Sequence, residues 1–417
     1  MKKKLIEKPD GLVVLSLFDG LSGGRLALEG TKIKVAKYIA SEIKPFAVKH
    51  TLAKFPDTIQ IGDVSKVFYD KKTKTLYKDC EREIIDSLEN YEDKTFWDEK
   101  ELKKFKRKGY EIVSNGEIYK WTLGEIAYQG EIDLLIGGSP CTQFSFANSF
   151  YNPKEKYGLK GDDSKLFYEY HRILKEVKPT YFFLENVKMK KESEQALNEF
   201  MGVDGIHINS NLLSYQNRHR IYWTNIPEVK VPENQHISFQ DYIIRTIPRI
   251  EQIIRDNKFK NTNIPFNLTS EEIETIYNNN LWAFKEFQKI TPTITKEEFV
   301  GKIHDLLYEA TPKKVPSRDK MWNNGKPGGN FVSKNITNAP LIRCLTTKQD
   351  RSPNSGCILF GDYFRFLTSI EACEAQKIPY SFLCDLKYSE ILNCTGDGWT
   401  NSVIQHIFNN LKNVYKF

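Results

Sequence analysis

Short apolar runs alternate with helix-like segments along the first half of the chain. The run Val13–Phe18 ends at Asp19–Gly20, which is typical of a buried strand in a parallel sheet, and segment 23–29 has the pattern of a following helix. Leu166–Glu176 is a second helix-like segment. The other strand-like runs are Val35–Ala40, Ile59–Ile61, Ile132–Ile136 and Tyr181–Leu184. Such alternation predicts an α/β fold with a doubly wound sheet.

A charged stretch, residues 69–130, interrupts this alternation between the third and fourth predicted strands. Asn115–Gly116 lies inside it between two strand-like runs, 110–114 and 117–121. An Asn-Gly pair in that position favours a type I′ turn. We therefore predict that 69–130 is an insert containing a β-hairpin.

The alternation fades again beyond the middle of the chain. Residues 228–340 are polar and rich in Asn and Lys, which predicts a separate, smaller domain. Strand-like sequence resumes at Ile358–Phe360, and the apolar residues of 401–411 fit one face of a closing helix. We therefore expect a large domain over 1–227 to which 341–417 returns.

Composition narrows the class of protein. A chain of 417 residues exceeds the size at which one core stops growing, so two domains are expected. The net charge of +7, from 61 basic and 54 acidic residues, permits a polyanionic partner without requiring one. Its seven cysteines form no CxxC pair, so we expect no metal site, no disulfide framework and a reducing, cytoplasmic location. No apolar stretch approaches the roughly 20 residues of a membrane span, so no membrane association is expected.

Glycines and acids follow the first three predicted strands. FDGLSGG at 18–24 supplies glycines where a strand turns into a helix and a ligand approaches the backbone. Glu42 follows the second strand, and Asp63 follows the third within Gly-Asp-Val. This layout is typical of a nucleoside-binding edge. Because the turn is not GxGxxG, it disfavours a dinucleotide and suits a cofactor such as S-adenosylmethionine.

Reactive side chains follow the next two strands. Cys141 ends Gly-Gly-Ser-Pro-Cys directly after Ile132–Ile136, and Glu185 ends the strand at 181–184. Arg218 and Arg220 alternate in an extended segment and would point the same way. Taken singly, each also has a structural interpretation: Cys141 as a core cysteine, Glu185 as a helix-capping acid, and the two arginines as solvated charges. Together they predict a nucleophile, an acid and cations at the carboxyl edge of the sheet, with the polar stretch 142–163 as a lid.

Eight motifs in the chain resemble those of the DNA cytosine-C5 methyltransferases in order and rough spacing. They are FDGLSGG at 18–24, SE at 41–42, GDV at 62–64, GGSPC at 137–141, ENV at 185–187, QNRHR at 216–220, RCLTT at 343–347 and GDGWTNSV at 396–403. Segments 157–179 and 396–411 resemble in particular the catalytic domain of the animal de novo enzymes and their phage and bacterial relatives. The resemblance implies a Rossmann-like, S-adenosylmethionine-dependent methyltransferase fold with a mixed, mostly parallel sheet and a target-recognition domain over 228–340.

The resemblance also implies catalytic roles. Cys141 would add to C6 of cytosine, and Glu185 would donate a proton to ring N3. Arg220 would hold the base O2, Arg218 would help hold the site or the Cys141 loop, and Asn186 would place the base edge.

S-adenosylmethionine is the methyl donor that the resemblance implies, with S-adenosylhomocysteine as product. Phe18 would stack on adenine, Glu42 would bind the ribose hydroxyls and Asp63 the adenine amino group. The full set of expected cofactor-binding residues is Phe18, Asp19, Gly20, Ser22, Gly23, Gly24, Glu42, Ile43, Asp63, Val64, Pro140, Asn401, Ser402 and Val403.

Double-stranded DNA with a flipped-out cytosine is the implied partner. Thr142 stands where many relatives have Gln, which bears on the DNA contacts of that loop. Basic residues of 228–340 are further candidates, and our hypothesis for the insert 69–130 is additional contact to DNA or a partner. The expected DNA-binding residues are Gln143, Ser145, Gln216, Lys326, Gly328 and Gly329.

Three alternatives stay open at this point. The same chemistry methylates tRNA in some relatives, a silent paralogue would only bind DNA, and a nicotinamide-linked enzyme is a more distant option. The sequence specifies neither the target site nor the oligomeric state, although a monomer is compatible with it. A bacterial or phage-infected cell is the expected setting.

Overall fold

The computed structural model describes residues 5–87, 111–112, 117–139, 165–323, 334–351 and 353–417. The chain divides into two compact units. The first comprises Met1–Ile208, His219–Val231 and Ile404–Phe417, and the second comprises Asn209–Arg218 and Pro232–Val403.

Strands are numbered here in chain order over the described residues. They are β1 (Ile6–Glu7), β2 (Leu12–Leu17), β3 (Val35–Ser41), β4 (Ile59–Gln60), β5 (Phe68–Asp70), β6 (Thr75–Lys78), β7 (Glu81–Ser87), β8 (Glu111–Ile112), β9 (Glu117–Thr122), β10 (Glu125–Gln129), β11 (Leu134–Gly138), β12 (Tyr181–Val187), β13 (Ile206–Asn209), β14 (Gln216–Asn217), β15 (His219–Thr224), β16 (Ile342–Arg343), β17 (Ile358–Phe360), β18 (Tyr363–Arg365) and β19 (Tyr415–Lys416). The helices are Gly23–Gly30, Pro45–Lys54, Lys165–Val177, Lys191–Met201, Pro248–Phe259, Ser270–Asn279, Leu281–Gln288, Lys296–Ala310, Pro316–Asn323, Ser369–Ala375, Tyr380–Leu383, Tyr388–Asp397 and Asn401–Phe408. Within this part of the chain no helix is both long and apolar enough to cross a membrane.

A seven-stranded sheet in the order β13-β15-β12-β11-β2-β3-β4 forms the centre of the first unit. The five strands from β12 to β4 run parallel, and β15 is antiparallel to β12. Strands β2 and β11 read as continuous apolar runs because both of their faces are covered. The predicted α/β fold with a mixed, mostly parallel sheet is therefore confirmed.

Side chains of the sheet and of helix Lys165–Val177 form the main core of this unit. Leu15, Leu135 and Leu184 lie at 0% exposure and pack with Phe167 and Ile173 of the helix. The helix presents these apolar residues on one face because they recur at helical spacing. Its polar face carries acids and an arginine whose contacts are described below.

The described residues of the insert form most of two small antiparallel sheets, β10-β6-β5 and β7-β9-β8. Strand β8 pairs with β9 through Glu111↔Tyr119 and Ile112↔Ile118, so the predicted hairpin pairing is confirmed. The Asn-Gly turn itself lies outside the described residues.

The second unit is mainly helical. Its largest core cluster brings Ile254, Phe299 and Leu307 of the helices together with Phe360 and Ile370. A fully buried ion pair, Arg365 Nη1 to Glu371 Oε2 at 2.8 Å, lies within the same unit.

The boundary of this unit differs from our expectation. The second unit extends to Val403, whereas we expected the chain to return to the large domain at residue 341. The strand-like run Ile358–Phe360 does not join the central sheet but forms a hairpin with β18. Phe360 packs on the helices of the second unit, which holds this segment there. Periodicity identified a strand but could not specify the sheet to which it belongs.

Candidate active site

The carboxyl ends of four neighbouring strands lie in one row of the central sheet. Gly137 pairs with Leu17 on one side and with Leu184 on the other, and Leu17 pairs with Ser41. The residues that follow this row are Phe18, Glu42, Gly138 and Glu185. Parallel strands end at the same edge, so the register brings together motifs that are far apart in sequence.

Gly137 is required by close packing at this edge. A Cβ at that position would lie 2.8 Å from Tyr170 Cε2 and 3.1 Å from the Leu17 carbonyl oxygen. The hydroxyl of Tyr170 donates to the Phe183 carbonyl at 2.9 Å. The tyrosine ring therefore packs directly against the strand that leads to Cys141, and any side chain at Gly137 would displace it.

Glu185 and Arg220 form an ion pair at the end of β12. Arg220 Nε lies 2.9 Å from Glu185 Oε1, with side-chain exposures of 13% and 11%. The antiparallel register produces this contact because Val187 is paired with Arg220 and Glu185 is two residues away on the same face. The predicted acid and one predicted cation therefore meet in a largely desolvated position, where electrostatic interactions are stronger than in water.

Asn186 is 1% exposed and contacts the residue at which the described chain stops before the cysteine. Its amide Nδ2 donates to Ser139 Oγ at 3.1 Å, and its Oδ1 accepts from the Val187 backbone N–H at 2.7 Å. Ser139 is the last described residue before Pro140 and Cys141. The predicted nucleophile lies outside the described residues, as do Pro140, Gln143, Ser145 and the expected lid.

Arg218 has contacts within the second unit. It is 3% exposed, and its Nη1 donates to the carbonyls of Leu345 and Gly396 at 3.1 Å each. Its Nη2 donates to the Gly398 carbonyl at 2.9 Å. The guanidinium thus ties the segment after β16 to the C-terminal end of helix Tyr388–Asp397, and its expected role at the site or the Cys141 loop stays a prediction.

The burial of Gln216 differs from our expectation. Gln216 was expected to contact DNA, but it has 0% exposure. Its Nε2 donates to the Ala375 carbonyl at 3.1 Å, and its Oε1 accepts from the Leu345 N–H at 2.9 Å. Because both ends of the amide are used inside the second unit, we remove Gln216 from the DNA-contacting set. Lys326, Gly328 and Gly329 lie outside the described residues.

Glu42 is oriented by backbone N–H groups. Its Oε2 accepts from Gly20 at 2.8 Å, and its Oε1 accepts from Ile43 at 2.8 Å and Lys44 at 2.9 Å. Gly20 has a φ of 58°, and a Cβ there would meet nothing within 4 Å. Ile43 beside it is 71% exposed, which is unusual for a large apolar side chain. A fixed carboxylate therefore borders open space over a glycine turn and next to an apolar surface.

The side chain of Asp19 is committed to the turn itself. It is 8% exposed and accepts hydrogen bonds from the hydroxyls of Ser22 and Tyr38, the latter at 2.7 Å. Burial raises the pKa of Asp19 to about 6, against the opposing effect of these hydroxyls. Sequence reasoning missed Tyr38 because it sits in an apolar strand, where a core aromatic looks the same. Ser22 directly precedes helix Gly23–Gly30, so Gly23 and Gly24 lie in the first turn of that helix.

Asp63 begins the 3-10 turn Val64–Lys66. Its Oδ1 accepts from the N–H of Ser65 at 2.9 Å and from the hydroxyl of Ser65 at 2.8 Å. Val64 behind it is 4% exposed. Both bonds use the same oxygen, so the carboxylate is held by one side only.

Asn401, Ser402 and Val403, which are expected near the methionine portion of the cofactor, are the first three residues of helix Asn401–Phe408. They belong to the second unit, where the Asn401 N–H donates to the Gln376 carbonyl at 2.8 Å. Ser402 Oγ donates to the Leu213 carbonyl at 3.3 Å, and Val403 is fully buried. Their contact with the cofactor stays a prediction from the resemblance.

The sheet and this edge define a doubly wound α/β protein with a carboxylate–arginine pair at the carboxyl edge of its sheet. The model of the C-5 cytosine-specific DNA methylase family matches residues 94–413, which is more than half of the chain. This protein therefore belongs to that family.

Several curated relatives share parts of the sequence. The DNA (cytosine-5)-methyltransferase DRM2 of Arabidopsis thaliana is 28% identical over 172 residues, covering 41% of this chain and 20% of the relative. The type II methyltransferase M.FnuDI of Fusobacterium nucleatum is 33% identical over 28% of this chain and 30% of its own length. The orphan methyltransferase M.SPRI of Bacillus phage SPR is 36% identical over 24% of each chain. The matched segments thus cover less than a third of these relatives.

Solved structures align along almost the whole chain. The Entamoeba histolytica methyltransferase EhMeth has a TM-score of 0.48 at 12% identity, with 98% of each chain covered. The S. pombe Dnmt2 methyltransferase has a TM-score of 0.44 at 11% identity, with 96% and 98% covered. Because these scores are below 0.5, the fold assignment rests on the strand order and register described above.

Proposed function

We propose that this protein transfers a methyl group from S-adenosylmethionine to C5 of a cytosine in duplex DNA, with Cys141 as the nucleophile. The observation that carries the proposal is the register at the edge of the sheet. It aligns Gly138, three residues before Cys141, with Glu185 and its Arg220 partner. The same edge carries Phe18 and Glu42 on the neighbouring strands, where a nucleoside cofactor fits.

The chemistry explains why a thiol is needed. Cytosine C5 is a weak nucleophile, and addition of the Cys141 thiolate to C6 turns C5 into an enamine carbon that can attack an electrophile. The bond from sulfur to C6 forms as the C5–C6 double bond opens, and negative charge develops towards N3. Since C6 is inaccessible within a duplex, the base must be extruded, at a cost of about a few kcal/mol.

Glu185 supplies the proton that this charge requires. A carboxyl group at the end of β12 delivers it to N3, and Arg220, 2.9 Å from Glu185 Oε1, stabilises the carboxylate that remains. The guanidinium also suits the base O2, as the resemblance implies. Asn186 keeps Ser139 in place and so orients the chain that leads to Cys141.

S-adenosylmethionine, when bound, supplies an electrophilic methyl group on its sulfonium. The residues present fit this cofactor. Glu42 is fixed for the ribose hydroxyls. Asp63 has a second oxygen, which neither Ser65 bond uses, for the adenine amino group, and Phe18 follows β2 beside the open turn at Gly20. After methylation, a base or water removes the C5 proton, the Cys141 thiolate is expelled, and N3 returns its proton to the Glu185 carboxylate, which together restore the aromatic ring.

A cluster of cations on the second unit supports a nucleic-acid partner. Lys258 Nζ lies 4.3 Å from the centre of the Tyr308 ring and donates to the Thr311 carbonyl at 2.8 Å. Burial, and then the nearby charges of Lys313 and Arg318, lower the pKa of Lys258 to about 8. Crowded like charges are relieved by a polyanion, so we assign phosphate contacts to Lys258, Lys313 and Arg318.

Bisulfite sequencing tests the reaction, the nucleophile and the polymer together. A plasmid is propagated in a methylation-free bacterium expressing the wild type, Cys141→Ala or Cys141→Ser. Protected cytosines in one recurring context with the wild type, and none with either variant, are expected. Complete conversion with soluble wild-type protein would refute the DNA assignment. Methyl transfer into RNA under the same conditions would then identify tRNA as the substrate, and methylation by Cys141→Ser would refute the nucleophile.

A further inference from the structure

Arg172 lies in the middle of helix Lys165–Val177 and is 3% exposed. Its guanidinium is held between two acids of the same helix, Glu169 one turn before it and Glu176 one turn after it. Nε and Nη2 lie 3.0 and 2.8 Å from Glu169 Oε2, and Nη1 contacts Glu176 Oε1. A buried arginine with two carboxylates is strongly oriented, because moving it would leave buried charges unpaired.

The same guanidinium reaches the turn that follows Asp63. Nη2 donates to the Val67 carbonyl at 2.8 Å and to the Val64 carbonyl at 3.2 Å. These carbonyls belong to the first residue and the C-cap residue of the 3-10 turn Val64–Lys66, and the Val64 carbonyl also accepts from the Val67 N–H at 3.3 Å at the end of the turn. A cation at that end satisfies them and is favoured by the local dipole. Arg172 therefore fixes the end of the turn opposite to Asp63.

Residues of the insert complete this network from the outside. Arg82 of β7 forms an ion pair with Glu169, and the Tyr69 N–H donates to Glu176 Oε2 at 3.0 Å. The Trp121 ring of β9 covers the guanidinium of Arg172, with 5.0 Å from Cζ to the ring centre. The Cys80 N–H donates to the Lys66 carbonyl at 2.9 Å, which gives the turn a direct bond to the insert.

We infer that Arg172 is a positioning residue for the adenine end of the cofactor, and that the insert 69–130 braces it. The inference rests on the proposed function, in which Asp63 binds the adenine amino group. Ser65 orients the Asp63 carboxylate, and Arg172 and Cys80 hold the carbonyls of the turn that contains Ser65. A displaced turn moves the carboxylate away from adenine, so loss of the brace weakens cofactor binding without touching the reacting atoms. This assigns the described residues of the insert a role within the first unit, and the DNA or partner contacts hypothesised from its sequence stay a prediction.

Calorimetric binding of S-adenosylmethionine to the full chain tests the inference. Arg172→Lys keeps a positive charge but cannot bridge two carbonyls and two carboxylates at once. We expect its dissociation constant to rise about tenfold, as for one lost hydrogen bond. In steady-state assays KM for the cofactor should rise with it, while kcat at saturating cofactor should stay within about twofold.

Arg255→Lys is the matched control. Arg255 is 7% exposed in the second unit, donates to the Phe360 carbonyl at 3.1 Å and pairs with Asp362 at 3.0 Å. Arg255→Lys should lower the melting temperature about as much as Arg172→Lys does, but leave the dissociation constant for the cofactor unchanged. A purely structural role for Arg172 predicts the same pattern for both variants.

A double-mutant cycle with Asp63→Ala locates the effect. If Arg172 acts through Asp63, adding Arg172→Lys to Asp63→Ala should weaken binding no further. Arg82→Gln changes a side chain with 24% exposure and is the milder perturbation if Arg172→Lys does not fold. We expect it to raise the dissociation constant for S-adenosylmethionine about threefold. If the wild type binds the cofactor and Arg172→Lys binds it with the same affinity, the inference is overturned and the proposed function stands. If Arg172→Lys does not fold, the same outcome for Arg82→Gln overturns the inference. Wild type that binds no cofactor overturns the proposed function and the inference with it.

Discussion

Asp19→Asn is expected to stabilise the cofactor-free protein at neutral pH. The carboxyl group is buried beneath the FDGLSGG turn, where the hydroxyls of Ser22 and Tyr38 donate to it. Burial raises the pKa of Asp19 from 3.8 to about 6, so its ionised form is disfavoured in the folded state despite these two bonds. An amide at this position carries no charge and avoids that penalty.

The magnitude follows from the two pKa values. At about 1.4 kcal/mol per pKa unit, the change from 3.8 to about 6 costs the folded state about 3 kcal/mol once the group is ionised. The direction of the pH dependence follows from the raised pKa of the Asp19 carboxyl group. The folded state binds the proton more tightly, so the contribution of Asp19 is most favourable below pH 3.8 and is lost as pH rises to about 6. Replacement of a hydrogen-bonded carboxylate sacrifices about 1–2 kcal/mol, which leaves a net gain of about 1–2 kcal/mol above pH 6.

Urea unfolding between pH 4 and pH 8 measures this difference. The free energy of unfolding of Asp19→Asn minus that of the wild type should increase between about pH 4 and pH 6 and then stay level. Asp57→Asn removes a carboxylate with 57% side-chain exposure and serves as the control. Parallel profiles of wild type and Asp19→Asn over the whole range would refute the reasoning, because they would mean that burial does not penalise the charge.

Three further outcomes are expected. Glu185→Gln should lower kcat about 100-fold or more with little change in cofactor affinity, since it removes only the proton donor; near-normal single-turnover rates would exclude that role. Glu42→Ala should raise the dissociation constant for S-adenosylmethionine about 10- to 100-fold in calorimetry, because it loses charge-assisted bonds to the ribose; an unchanged value would contradict the assignment. Combined Lys258→Gln, Lys313→Gln and Arg318→Gln should reduce the log–log salt slope of DNA binding by up to about 2.7, and an unaltered slope would place the phosphates elsewhere.

Much of the candidate site could be predicted because it follows the ends of parallel strands. Apolar runs locate those strands, and the edge rule then brings Glu42, Asp63 and Glu185 to one side of the sheet without any knowledge of tertiary contacts. The glycines of the first turn are informative for the same reason, since local backbone geometry demands them. The resemblance added roles to these positions.

Contacts across long sequence separations were not accessible in this way. Arg218 and Gln216 were expected at the site or at DNA because they stand in a motif, and only the structure shows that both side chains are buried within the second unit. Tyr38 and Arg172 looked like ordinary core and helix residues, and their partners lie 19 and 105–108 positions away along the chain.

The sequence by itself determined the α/β fold, the order of its strands along the chain and which acids follow their ends, because periodicity and turn residues act over a few positions. Only the tertiary structure decided that residues 341–403 stay with the second unit and that Cys80 of the insert donates to the turn after Asp63. The physical reason is that a strand can bury its apolar side chains against several alternative segments, and an arginine can likewise pair its charge with several alternative acids. Packing of the whole unit selects among them, and local pattern does not.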